Sequence, residues 1–349
     1  MESLCTRDPK VTADRLLADL VVAPRFADVR FVSYRPDPDH PSQRAALERA
    51  TGFAAAVSAG AATSPRWFPR WGSGRADQGP GGLYLDGGFG VGKTHLLASL
   101  WHQVVAGRPA KPARYAAFGQ LTALVGALGF GPAVAALTDS CLLCVDEFEL
   151  DDPGDTVLVS TLLSRLAEGG VRLAATSNTL PDRLGEGRFA AVDFLREIQA
   201  LAARFEVVRV DGPDFRRRDR PDPPPPSDPA LVRSATAALP GATLDAFEDL
   251  LAYLSALHHS RYCALLDGVA LVGVTGLREV TDQAAALRLV TFVDRLYELR
   301  IPVLLAGQPV DRLFGPELLT GGYRKKYLRA LSRLVALAGE GPAVAGLPD

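Results

Sequence analysis

The residues best equipped for chemistry sit in two separate runs of the chain. The first, at 83–96, reads LYLDGGFGVGKTHL. Gly87, Gly88, Phe89, Gly90, Val91, Gly92, Lys93 and Thr94 fit the spacing G-x4-G-K-[ST] between an apolar strand pattern and a helical one. Glycines in such a loop let backbone N–H groups converge on phosphate oxygens, and the start of the following helix adds its dipole. Lys93 is expected to reach the β- and γ-phosphates, Thr94 to offer its hydroxyl to Mg2+, and His95 to close the nucleotide-binding run.

The second run is LLCVDEF. Four apolar residues put Asp146 and Glu147 at the C-terminal end of a strand, where ligands gather in open α/β sheets. Asp146 is expected in the Mg2+ shell. Glu147 can orient and deprotonate a water, so the pair points toward hydrolysis of a nucleotide. The strand pattern VRLAATSN ends in Thr176-Ser177-Asn178, and a parallel neighbouring strand would carry Asn178 beside the γ-phosphate; an ordinary turn asparagine is the alternative. Arg204 closes the helix before the last core strand. From there an arginine reaches a neighbouring subunit's site in ring-forming ATPases, although the position also suits a helix-dipole partner. Arg329 and Arg333 share one face of the terminal helix, fitted to a phosphate or to a solvated face.

These groups need a scaffold, and residues 82–211 supply its pattern. GLYLD, CLLCVDEF, VRLAATSN and FEVVRVDG read as strands, separated by KTHLLASLWHQVV, DTVLVSTLLSRLAEG and DFLREIQALAARF as helices. Continuous apolar strands alternating with helices predict an α/β fold with a parallel sheet covered on both faces. Residues 1–75 read as an N-terminal arm with helices over VTADRLLADLV and QRAALERATGFAAAVSA, then RWFPRWGSGR. That last run interleaves basic and aromatic residues, suited to stacking on a base or to anchoring the arm. The expected core is 76–212, followed by a proline-stiffened linker at 213–229 and a smaller C-terminal α/β region at 230–349.

Composition narrows the classes. The 349 residues are 48% hydrophobic and 22% charged, enough apolar surface for a sizeable core and too much for wholesale disorder. A net charge of −2 gives no global attraction to nucleic acid or anionic lipid. Cys141 and Cys144 form C-x2-C, but no second pair and no histidine pair at ligand spacing accompanies them, so they read as buried strand residues of a cytoplasmic protein. MESLCTRDPK lacks the apolar stretch of a signal peptide. The uncharged run Tyr115–Thr138 is long enough to span a bilayer. Gly129-Phe130-Gly131-Pro132 breaks it, and a span would part the glycine loop from Asp146, so two short buried helices are expected instead.

GLYLDGGFGVGKTHLL, LLCVDEFELDDPGD with Asp152 and Asp155, AATSNTLPDRL, FEVVRVDGPDFR, FVDRLYELRIPVLL and YLRALSRL together resemble the ZapE family, AAA+ ATPases of bacterial cell division with mitochondrial relatives. The resemblance runs from roughly 80 to 335. It implies a P-loop NTPase core of AAA+ type, ATP as the nucleotide, a homo-oligomer, and association with division proteins such as FtsZ. On this resemblance Lys93 and Thr94 match Walker A, Asp146-Glu147 Walker B, Asn178 sensor 1, and Arg204 the arginine before the last core strand. Arg329 and Arg333 fall in the family's RT-SRL-like segment. The chain departs from the pattern at Ala191, where an arginine is common, and in FLRE replacing FLP, with Arg188 and Arg196 as substitutes; the segment before the acidic motif is also shorter and less charged. The expected function is Mg2+-dependent ATP hydrolysis that remodels a protein partner. The alternatives are a nucleotide-gated scaffold and a DNA-associated ATPase resembling a helicase loader, the latter disfavoured by the charge balance.

Overall fold

The computed structural model describes residues 2–60, 81–148, 153–178, 202–213 and 223–347. The RWFPRWGSGR run, Asp152, Arg188, Ala191, FLRE, Arg196 and the arginine triplet of the linker lie outside the described residues, as does the side chain of Asp155. The chain divides into two compact units. One holds the described residues of Thr12–Val22 and Phe26–Arg218, the other those of Met1–Val11, Ala23–Arg25 and Asp219–Asp349.

The first unit is built on five parallel strands in the order β2-β3-β4-β1-β5: β1 (Gly82–Gly87), β2 (Ala113–Ala117), β3 (Leu142–Asp146), β4 (Arg172–Ser177) and β5 (Phe205–Val210). The inner strands are nearly continuous apolar runs because helices cover both faces; β1 is buried along its whole length. Asp86, inside that strand, is buried and ion-paired to Arg209, its register partner on β5. Helix α1 (Ala13–Ala18) and helix α2 (Pro41–Ser58) come from the N-terminal region. Proline opens α2, and Ala46, Ala50, Ala54 and Val57 recur at helical spacing to join the apolar cluster of Leu97, Leu100 and Val104. Those three lie on helix α3 (Lys93–Ala106), which leaves the glycine loop directly.

The uncharged run 115–138 resolves into the end of β2 and two helices, α4 (Phe118–Leu128) and α5 (Phe130–Thr138), bent by 120° at their junction. Among the described residues no single helix is long and apolar enough to cross a membrane. Strand β2 had no clear sequence signal, since ARYAA is short and carries a charge. Cys144 is buried in β3 and Cys141 is half-buried just before it; burial raises both thiols above their ordinary range, and neither is in a disulfide.

The second unit has three parallel strands in the order β6-β7-β8: β6 (Ala242–Ala246), β7 (Leu271–Leu277) and β8 (Val303–Gly307). Leu244 and Asp245 belong to β6, where the apolar spacing of LDAFEDLLAYLSAL suggests helix throughout; the helix begins only at Phe247. The first residues of the chain are built into this unit. Glu2 bridges Thr243 in parallel register, Asp245 accepts from Leu4 N–H at 3.0 Å and from the Ser3 hydroxyl, and Arg7 donates to Leu265 O and Asp267 O, each at 2.9 Å. Leu4 is fully buried in the cluster of Phe247, Leu250, Leu254 and Val272. Leu4→Ala should therefore destabilise the protein by about 2–5 kcal/mol, the usual cost of a leucine-sized core cavity. Denaturant unfolding followed by circular dichroism measures it, and an unchanged transition would remove Leu4 from the core.

Candidate functional site

Three neighbouring strands of the first unit, β3, β4 and β1, deliver their C-terminal ends side by side. β3 ends in Asp146, β4 in Ser177 followed by Asn178, and β1 in Gly87, where the loop begins. Gly87 must be glycine because β5 passes close by: a Cβ there would sit 2.1 Å from the Val210 carbonyl oxygen. The loop then closes at Gly92, at φ +92°, and helix α3 starts with Lys93.

Lys93 is 8% exposed, so its ammonium group must find protein acceptors. It donates to the carbonyl oxygens of Gly87 at 2.9 Å and of Gly88, and to Asn178 Oδ1 at 2.9 Å. The loop lysine and the end of β4 thus meet through one charge-assisted contact. Thr94 Oγ1, one residue on, donates to Asp146 Oδ1 at 3.2 Å. The loop, β3 and β4 are joined around one point.

Asp146 collects further donors. Tyr115 OH, from β2, donates to its Oδ2 at 2.9 Å; the Thr176 hydroxyl and the Glu147 N–H both donate to its Oδ1. Burial, then the adjacent Glu147 carboxylate, raise the Asp146 pKa above the ordinary aspartate value, and the three hydroxyl donors pull it back. A cation with hard oxygen preference would relieve the crowding of the two carboxylates. The donor set fits Mg2+, which binds through one or two protein oxygens and completes its shell with phosphate and water. Thr94 and Asp146 are placed for that role. Among the described residues no group of three or more His, Cys, Asp or Glu side chains could hold a metal ion.

Glu147 has φ +53°, the left-handed region that side chains seldom adopt. Thr176 secures it: its hydroxyl accepts from Glu147 N–H at 3.0 Å while donating to Asp146, and its carbonyl accepts from Phe148 N–H at 2.7 Å. The chain after β3 is thereby turned against β4, which sets the direction of the Glu147 side chain. Neither Thr176 nor Tyr115 was singled out by sequence reasoning. Thr176 was visible as the first residue of TSN, whereas Tyr115 needed β2 to be recognised.

Other expected site residues stand elsewhere. His95 faces the N-terminal segment, with Nε2 3.0 Å from Ser33 Oγ and 3.1 Å from Arg30 O. Arg204 precedes β5 and pairs with Glu168 at 3.2 Å. Its carbonyl accepts from Gly82 N–H, so it lies at the N-terminal end of β1 and β5, whereas the glycine loop leaves the C-terminal end of β1. Arg329 and Arg333 are both buried in the second unit and ion-paired to the same carboxylate, Asp294, Arg329 at 2.8 Å.

A family model described as "AFG1-like ATPase" matches residues 10–225 and 228–341. Cell division protein ZapE of Escherichia coli K12 is 36% identical over 147 residues, which cover 39% of this chain and 38% of that protein. Lactation elevated protein 1 homolog B of Danio rerio is 29% identical over 161 residues, 40% of this chain and 31% of that protein. The matched segments thus span well under two thirds of these relatives. Among solved structures, the DnaC helicase loader aligns with 54% of this chain and 99% of its own at a TM-score of 0.38 and 17% identity. DnaI aligns with 54% and 95% at 0.40 and 18%.

Thr176→Val removes the hydroxyl that holds Asp146 and Glu147 while keeping the side chain's volume. The expected result is a loss of about 1–3 kcal/mol of stability, the cost of leaving a buried charged group without one of its hydrogen bonds. Thr176→Ser should retain most of the stability. Denaturant unfolding of both variants decides it, and a wild-type transition in the valine variant would contradict the role.

Proposed function

The chain belongs to the AFG1-like ATPase family, and from that premise we propose that it hydrolyses ATP with Mg2+ and couples the cycle to remodelling of a protein partner in bacterial cell division. The observation that carries this reading is the convergence of Lys93, Thr94, Asp146, Glu147 and Asn178 at the ends of three adjacent parallel strands. A loop lysine, a hydroxyl, two successive carboxylates and an amide are the parts that phosphoryl transfer to water requires.

On this reading the loop from Gly87 to Gly92 offers its N–H groups to the phosphates. Lys93 exchanges its contacts with Gly87 O, Gly88 O and Asn178 for the β- and γ-phosphate oxygens. Thr94 and Asp146 would hold Mg2+, which would supply neutralisation of the phosphate charge. The Glu147 carboxylate takes a proton from the attacking water, and the Asn178 amide orients that water toward the γ-phosphorus. Water adds to phosphorus as the bond to the bridging oxygen breaks, and ADP and inorganic phosphate leave.

Arg204 is assigned to a neighbouring subunit's site, because it lies at the end of β1 and β5 opposite the one from which its own loop leaves. That assignment makes the working form a homo-oligomer. Arg329 and Arg333 are assigned to the family's RT-SRL-like segment, with Asp294 as their shared counter-charge within the second unit. The similarity to a cell division protein of Escherichia coli supports the division role.

Glu147→Gln tests the central assignment. The variant should bind ATP as tightly as the wild type while turnover drops by about 100-fold or more, the usual contribution of a positioned base. Its melting temperature should not fall, since the substitution removes a like charge beside Asp146. Phosphate release and fluorescent-nucleotide binding measure the two quantities; near-wild-type turnover would end the claim that Glu147 is the base.

A further inference from the structure

We propose that Tyr34 is a positioning residue for the glycine loop, and that the short segment Arg30–Tyr34 together with His95 forms a clasp that sets the loop's peptide planes for triphosphate binding. The inference rests on reading the loop as an ATP site.

The contacts are specific to the loop. Tyr34 follows the 3-10 turn Phe31–Ser33 and is 9% exposed. Its hydroxyl donates to the Val91 carbonyl oxygen at 3.1 Å. Its ring lies against the backbone of Gly92, where a Cβ would come within 2.5 Å of Tyr34 Cε2. Gly92 is therefore required twice over, by its φ of +92° and by the ring above it.

A trans peptide unit points its C=O and its N–H in opposite directions. Fixing Val91 C=O toward Tyr34 turns the Gly92 N–H away from Tyr34. That N–H is one of the donors a loop of this spacing offers to phosphate. A free loop would sample both orientations of this plane, so holding one of them lowers the ordering cost of binding. Burial keeps the hydroxyl a donor by pushing its pKa up to about 12.

His95 locks the other side of the clasp. The Ser33 hydroxyl donates to Arg30 O at 2.7 Å, which leaves Ser33 Oγ as an acceptor. His95 Nε2 lies near both Ser33 Oγ and Arg30 O, so it carries the proton and donates to the pair. The imidazole also meets the Tyr34 ring edge-on, with centroids 5.5 Å apart. The residue after Thr94 thus ties the start of helix α3 to the same segment that grips Val91 and Gly92.

The test is Tyr34→Phe, which keeps the ring and removes only the hydroxyl. In nucleotide-free full-length protein, hydrogen–deuterium exchange of the backbone amides at 88–93 should quicken while those of β3 keep wild-type rates. The Kd for ATP should rise about three- to tenfold, as expected for one lost hydrogen bond, with kcat at saturating ATP within about twofold of wild type. Wild-type exchange at 88–93, or faster exchange there with unchanged ATP affinity, would overturn the proposal. So would quickened exchange across the whole sheet, which would make Tyr34 a general packing residue. If the wild type itself does not bind ATP, the proposed function fails and the positioning role fails with it; a local exchange response would then mark Tyr34 as a structural prop of the loop alone.

Discussion

One buried ammonium group organises the candidate site. Lys93 cannot shed its charge into water, so its acceptors are fixed by necessity: two carbonyls of its own loop and the Asn178 amide oxygen. That constraint joins the end of β1 to the end of β4. Asp146 performs the matching task from β3, where hydroxyls from Thr94, Tyr115 and Thr176 converge on one carboxylate. The two charges are complementary halves of one arrangement, built on a parallel sheet in which β4 lies between β1 and β3. Any displacement of one strand end would leave a buried polar group without its partner, which gives the geometry its stiffness.

Much of this was legible in the sequence because the key residues are contiguous. The glycine loop carries its own spacing, and LLCVDEF announces both a buried strand and the carboxylates at its tip. The strands Leu142–Asp146, Arg172–Ser177 and Phe205–Val210 fall where their apolar runs predict. What escaped were contacts between residues distant in the chain. Tyr115 reaches Asp146 only because β2 pairs with β3, and ARYAA is too short and mixed to declare itself a strand. The boundary between β6 and its helix was hidden for a different reason. Leu244, Phe247, Leu250 and Leu251 continue an apolar spacing compatible with one helix, and only the pairing of Ala242–Ala246 with β7 overrides it.

The N-terminal residues show the same limit from another side. Their sequence suggests two helices joined by loops; α1 forms within the first predicted segment, and α2 covers most of the second but starts earlier, at Pro41. Nothing local indicates that Leu4 completes the core of the second unit, or that Tyr34 rests on Gly92 in the first. Residues up to Arg25 alternate between the two units in their membership, so the segment is structural material for both. Several of its polar side chains serve caps and backbone contacts, such as Thr12 on Arg15 N–H and Arg7 on Leu265 O, which residue types alone did not reveal.

The most direct measurement substitutes Mn2+ for Mg2+ and follows it by electron paramagnetic resonance in the presence of ATP. The account predicts a protein-bound signal coupled to phosphorus in the wild type, with metal affinity reduced at least about tenfold in both Thr94→Ala and Asp146→Ala, since each removes a hard oxygen donor from a small shell. Wild-type binding of Mn2+ and ATP in both variants would contradict the convergence of loop and strand ends on one metal-bound triphosphate.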